Sequence, residues 1–252
     1  MKRFQEEQLR NASPQEINNL LNELFNETLQ LVTESQEWPT RSETQGVTIR
    51  QKKAQQKQND NGHKLIQRNS QHDNITYEQL RELLFVNHSI NETKYVELMV
   101  EAKKLFDLSN DNNNNNHTKD DLNSNEKGKQ KEGSAGVYWL GFKATLASSR
   151  EFIELVATRE QKNDITGLRE FMVVSKPVRP THLRPVRNYV RGSYEAWERV
   201  CELKDGKVEW TCIQRSNPGG WIPRCLSDWV VAKEFHKDVL SIVNYIHKNS
   251  ST

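Results

Sequence analysis

The sequence predicts an α+β domain in which a curved antiparallel sheet wraps around a long C-terminal helix and encloses an apolar cavity. Three observations predict it. Five strand-like segments follow one another between residues 137 and 215, and strands in unbroken succession form an antiparallel meander. After them comes the turn string Ser216, Asn217, Pro218, Gly219, Gly220, Trp221, Ile222, Pro223, Arg224. One amphipathic helix is then expected from Pro223 to Lys248, with Leu226, Trp229, Val230, Phe235, Val239, Ile242 and Ile246 on its apolar stripe. A helix this apolar along one side must lie across a sheet.

At the N-terminus, Ser13 and Glu16 make a capping box with Pro14 at the first helical position, and Ile17, Leu20, Leu21, Leu24, Leu31 and Val32 recur at helical spacing. A helix is expected from Pro14 to about Glu34. Val47 to Arg50 and Lys64 to Arg68 are short strand candidates. Between them Gln51 to Gly62 is Gln-, Lys- and Asn-rich and has no apolar face to bury, which marks a loose loop. Thr76 caps a helix reaching Phe85, and a second helix is expected from about Asn91 to Phe106 with Tyr95, Met99, Ala102 and Leu105 inward. Ser109 to Ser134 contains five consecutive asparagines and reads as a low-complexity disordered insertion.

Beyond that insertion the pattern changes to period two, over Val137 to Ala144, Glu151 to Arg159, Leu168 to Pro177, Tyr189 to Leu203 and Val208 to Arg215. Asp205 and Gly206 close the last hairpin, since glycine takes the positive φ that tight turns require. The expected organisation is a helical extension over residues 1–46 and a single domain over residues 47–248, interrupted at 109–134.

Composition narrows the function. Lys and Arg number 36 against 34 Asp and Glu, with no basic block to track a phosphate backbone, which excludes nucleic acid as the expected partner. Met1 to Arg10 is charged and lacks the apolar stretch of a signal peptide, and no segment approaches the ~18 apolar residues of a membrane span. A cytoplasmic location is expected. The cysteines Cys201, Cys212 and Cys225 are odd in number and have no His or Cys at zinc spacing, so they read as reduced packing thiols with no metal. No Ser, His and acid arrangement and no nucleotide-type glycine loop occurs, and Gly219 with Gly220 lacks the lysine of a phosphate loop. The chain is read as a non-enzyme without a cofactor.

Several stretches carry a likeness to a known family. These are Asn87, His88, Ser89 with Asn91, Glu92 and Tyr95; Ser149 to Thr158; Gly167 to Pro177; Val190, Arg191, Gly192, Tyr194 and Glu195; and Glu209 to Gly220 with Ile222, Pro223 and Arg224. In these residues the chain resembles a fungal family of uncharacterised proteins in the START-like, or helix-grip, superfamily of lipid-binding domains. The likeness spans Val47 to Ile246 apart from the polar insertion, and the Pro-Gly-Gly-x-Ile-Pro-Arg string is its most specific part. Asn217 stands where an aspartate is expected, and Cys225 where a tryptophan is expected. The resemblance implies a sheet gripping the C-terminal helix around a pocket for a lipid or sterol-like molecule.

Candidate pocket walls are Phe142, Phe152, Val173, Tyr194 and Trp210; the alternative is simple core filling, because alternation does not say which face meets the cavity. Arg159, Arg191, Glu195 and Arg215 lie within strand patterns and are candidates to hold a headgroup, or else form cross-strand ion pairs on the other face. His88 and Glu92 share a helical face, as a metal or acid–base pair or merely beside a cap made by Asn87 or Ser89. Gly219 and Gly220 suit a hinge, and Trp221 and Trp229 suit either membrane contact or anchoring of the last helix. The expected function is intracellular binding and transfer of a hydrophobic ligand with transient membrane contact. Two alternatives are open: a protein-interaction scaffold with a filled cavity, and an enzyme of the cyclase or hydrolase kind, which requires a polar cluster inside the cavity.

Overall fold

A computed structural model describes residues 3–53, 64–108, 133–143, 148–220 and 235–250. The chain opens with β1 (Phe4–Gln5), α1 (Glu6–Asn11) and α2 (Pro14–Ser35). The expected capping box is present: the Glu16 N–H donates to Ser13 Oγ at 3.3 Å while the Ser13 N–H donates to the Glu16 carboxylate at 2.7 Å. β2 (Thr40–Thr44) and β3 (Val47–Gln51) form a hairpin through Gln45 and Gly46, both at positive φ. Next come β4 (Ile66–His72), α3 (Tyr77–Leu80) with a following π-turn (Arg81–Phe85), and α4 (His88–Tyr95). The remainder is β5 (Met99–Asp107), β6 (Gly133–Phe142), β7 (Ser149–Lys162), β8 (Arg169–Arg179), β9 (Tyr189–Arg191), β10 (Ser193–Glu202), β11 (Val208–Asn217) and α5 (Lys237–Ser250).

The described strands form one 11-stranded sheet whose main path is β2-β3-β4-β11-β10-β8-β7-β6-β5, antiparallel throughout. The predicted meander is the β6 to β11 part of this path. Two short strands pair parallel at its margin: β1 with the end of β8, and β9 with the start of β7. Gly206, at φ +83, turns β10 into β11, with the Leu203 N–H donating to the Lys207 carbonyl.

Alternation divides the sheet into two faces, each with its own apolar core. The inner face carries Tyr138, Leu140, Val156, Phe171, Val173, Val200, Trp210 and Cys212, covered by α3, α4 and by Phe235, Val239, Ile242 and Ile246 of the C-terminal segment. The outer face carries Val137, Trp139, Leu155, Met172, Val174, Trp197 and Ile213, covered by Leu9 of α1 and by Ile17, Leu24, Phe25 and Val32 of α2. The N-terminal helix thus seals the sheet's back, and β2, within the expected extension, pairs with β3.

One expected element is corrected. The second helix stops at Tyr95, and Met99–Asp107 is the edge strand β5. Irregular register between Met99 and Glu101 and between Lys104 and Phe106 breaks the period of two, leaving apolar residues at spacings of three and four that mimic a helix. The described part of the final helix is Lys237–Ser250; its expected first half, from Pro223, and the insertion over 109–132 lie outside the described residues.

Candidate functional site

The inner face becomes polar where α4, β4, β7, β10 and β11 meet. Arg68 of β4 is 5% exposed, its guanidinium 4.0 Å from the Trp210 ring centre and 5.0 Å from that of Phe235. Its Nη2 lies 3.8 Å from Glu198 and its guanidinium also meets the Cys212 thiol, while its Nε and Nη1 have no hydrogen-bond partner among the described residues. Trp210 Nε1 donates to Glu198 at 2.8 Å. Beside them the Tyr95 hydroxyl is buried without a partner, whereas the Tyr194 hydroxyl donates to Gln214 at 3.0 Å. Glu154 of β7 is 2% exposed and has neither hydrogen bond nor ion pair among the described residues. Buried polar groups are nearly always paired, and the unpaired ones here lie on the inner face and also, at Trp197 Nε1, on the outer one.

Burial sets the electrostatics. Desolvation, together with the negative charges of Glu198 and Asp238, pushes the Glu92 carboxyl up to about 7. Desolvation and the neighbouring Glu92 push Glu154 well above the usual carboxylate range. The Cys212 thiol is raised well above its usual value by burial, then by Glu198, and the Cys201 thiol is raised to about 11 by burial. Both thiols are free and stay protonated near neutral pH.

His88 begins α4, and its Nδ1 donates to the Leu84 carbonyl at 2.7 Å while its Nε2 faces Glu92 at 3.7 Å. Asn87 adopts the left-handed conformation and makes no side-chain cap, and Ser89 Oγ has no partner among the described residues, so the expected cap by Asn87 or Ser89 is absent and His88 follows a turn. Asn91 steadies that turn by donating to the Glu82 and Val86 carbonyls. Among the described residues no group of three His, Cys, Asp or Glu could hold a metal ion.

The residues singled out from sequence divide by face. Phe142, Phe152 and Tyr194 form a row on the inner face, with ring centroids 5.4 and 6.5 Å apart, and Val173 and Trp210 lie deeper in the same layer. Gly192 makes room for that row, because a Cβ there would sit 2.4 Å from the Phe152 ring. The four charged candidates face the other way. Glu195 pairs with Arg215 and with Lys176, which in turn reaches Glu27 of α2 at 2.8 Å. Arg159 donates to Asn22 and lies over the Phe25 ring. Arg191 pairs with the fully buried Glu151, which also accepts Trp139 Nε1 at 2.8 Å. On the outer face Arg191, Glu195 and Arg215 are held in ion pairs and Arg159 bonds to α2, so none of the four reaches the inner layer.

Gly219 and Gly220 have φ of +67 and +65, and a Cβ on Gly219 would meet the Arg191 carbonyl at 2.4 Å. Asn217 Oδ1 accepts the Gly219 N–H at 3.0 Å, so asparagine in place of aspartate still builds the turn. Trp221 and Trp229 lie outside the described residues. Arg68, Glu154 and Glu198 were missed in the sequence.

Comparison with known proteins places this geometry. The family model described as "Protein of unknown function (DUF3074)" matches residues 66–246. No curated protein matches the chain's sequence. Human StAR-related lipid transfer protein 5 has a similar structure, with a TM-score of 0.67 at 12% identity, covering 93% of this chain and 98% of that one. Human STARD10 gives 0.65 at 13%, covering 90% and 80%. The lipid transfer and protein localization domain of human StarD13 (DLC2) gives 0.53 at 16%, covering 89% and 94%. At these identities the likeness is one of fold: this chain has the START fold. Among the described residues no helix is long and apolar enough to cross a membrane.

Proposed function

Since the chain belongs to the DUF3074 family and is built on the START fold, we propose that it binds a lipid or similar hydrophobic molecule between sheet and C-terminal helix and carries it between membranes in the cytoplasm. The observation that carries this reading is the inner face itself. Aromatic and aliphatic walls surround the unpaired Arg68 nitrogens, the Tyr95 hydroxyl and the Glu154 carboxyl. A purely structural core pairs most of its polar groups, although Trp197 Nε1 on the outer face also lacks a partner among the described residues; an apolar site with a few polar groups is how proteins orient amphiphiles.

Phe142, Phe152, Val173, Tyr194 and Trp210 are the walls in this proposal, and the inner polar groups meet the head. Each CH₂ moved from membrane into the site loses about 0.8 kcal/mol unless the walls stay dry, which the aromatic row favours. Gly219 and Gly220 serve as the hinge beside the mouth, supported by their positive φ. Binding rather than catalysis is supported by the similar structures of a lipid transfer protein and of a lipid transfer and protein localization domain. A cytoplasmic setting fits the two buried free thiols.

The test is mass spectrometry of lipid released from the natively purified protein, beside a Phe142→Ala/Tyr194→Ala variant checked for an intact melting transition. Stoichiometric lipid that is lost in the variant supports the proposal. A folded protein that carries none, and takes none up from offered vesicles, transfers the assignment to a protein-interaction scaffold.

A further inference from the structure

Accepting the inner face as a ligand site, we infer that the ligand's polar head carries a cationic nitrogen, an ammonium group, seated against Glu92 and Glu154. Acids approach from four elements: Glu92 of α4, Glu154 of β7, Glu198 of β10 and Asp238 of α5. Among the described residues two basic side chains face them, Arg68 of β4 and His88 of α4. Glu198 is already engaged by Arg68 and by Trp210 Nε1. Asp238 has an interaction of its own, which leaves Glu92, faced by His88 at 3.7 Å, and Glu154, 2% exposed and with no partner among the described residues.

An unpaired carboxylate in an apolar layer is tolerated in two ways, by keeping a proton or by meeting a cation. The empty protein uses the first. A ligand ammonium supplies the second, and the surroundings suit it: Phe152 precedes Glu154 on the same face, and the Phe152 and Tyr194 rings lie 6.5 Å apart. The unfilled donors complete the description of the head. Arg68 Nε and Nη1 and the Tyr95 hydroxyl require an oxygen acceptor close to the nitrogen. A neutral alcohol leaves the two acids unmatched, and a purely anionic head satisfies Arg68 but adds a like charge beside Glu92, Glu154, Glu198 and Asp238. A head containing both an ammonium and an oxygen matches Glu154 and Glu92 with a cation and Arg68 and Tyr95 with an acceptor at once.

Two sources supply that chemistry, a free long-chain amine and a zwitterionic phospholipid. The full chain would be titrated with tetradecylamine and with tetradecanol in the same detergent, and separately with mixed vesicles of phosphatidylcholine and phosphatidylglycerol. The expected result is amine binding tighter than alcohol by about tenfold or more at roughly pH 8, shrinking toward pH 5 as Glu92 and Glu154 regain their protons. Glu92→Gln/Glu154→Gln should abolish that preference, so that amine and alcohol bind with equal affinity to a variant whose melting transition is intact. Calorimetry in buffers of different ionisation enthalpy needs no variant: amine binding to the native protein should release protons and alcohol binding none. Selective uptake of phosphatidylcholine, lost in the double variant, would identify the phospholipid source, and uptake of the amine alone the free base. Equal affinity for amine and alcohol, with no proton release, overturns the cation assignment while leaving the ligand site standing. Retention of no amphiphile by the folded protein overturns both.

Discussion

Replacing Glu92 with glutamine should change how stability depends on pH. The carboxyl ionises near 7 in the native protein against a usual value of 4.5, chiefly because burial disfavours its charge. Between those two values the unfolded chain has released a proton that the native state still holds. The native state then binds more protons, and stability falls as pH rises through the window. Each tenfold change in proton affinity is worth about 1.4 kcal/mol, so the loss accumulates to about 3 kcal/mol by pH 8 or so. Glutamine keeps the shape and cannot ionise. Glu92→Gln and the parent should therefore have similar stability near pH 5, and the variant should be the more stable by about 3 kcal/mol near pH 8. Urea unfolding followed by tryptophan fluorescence at stepped pH measures the difference, and titrations common to both proteins cancel. A difference that stays constant across the range refutes the reasoning. A variant that is weaker at high pH would show Glu92 ionised in the native state and held by His88.

Three further outcomes follow from the geometry. Trp210→Phe removes the donor to the buried Glu198 and should destabilise the protein by about 1–3 kcal/mol, read by urea midpoint, leaving Arg68 as the remaining partner of that carboxylate. Gly219→Ala places a Cβ 2.4 Å from the Arg191 carbonyl at positive φ, so a melting point lowered by the equivalent of about 1–3 kcal/mol is expected, and an unchanged one would show that the turn can relax. Glu151→Ala leaves Arg191 and Trp139 Nε1 without their acceptor on the outer face and should cost about 3–5 kcal/mol, with ligand affinity unchanged in protein that remains folded.

The strands were legible because their period of two survives in the sequence, and α2 because Ser13, Pro14 and Glu16 announce its start. The strand β5 was hidden by two register irregularities that left Tyr95, Met99, Ala102 and Leu105 at helical spacing. The site was half legible for a related reason. Alternation correctly groups Phe142, Phe152, Tyr194 and Trp210 on one face, but does not give the face its role, because α2 makes the other face apolar as well. Glu195 and Arg215 therefore looked no different from Glu198 and Arg68, although the first pair lies beneath α2 and the second beneath the C-terminal segment. The signal that was present lies two residues away on either side: Glu154 is flanked by Phe152 and Val156, both of the inner layer.

Among the described residues, the back of the sheet is covered by α1 and α2, with none of α3, α4 or α5 in its apolar cluster. The molecule consequently has its seam on one side only. Motions that part the inner helices from the strands break inner contacts alone, and such local openings lie well below global unfolding in free energy. The main-chain ladder from β4 through β7 keeps its backing throughout, like a book whose spine is glued while its cover lifts. Residues that set how firmly the protein is folded and residues that set what it holds are thereby separated by the thickness of a single sheet, and either set can change while the other is preserved.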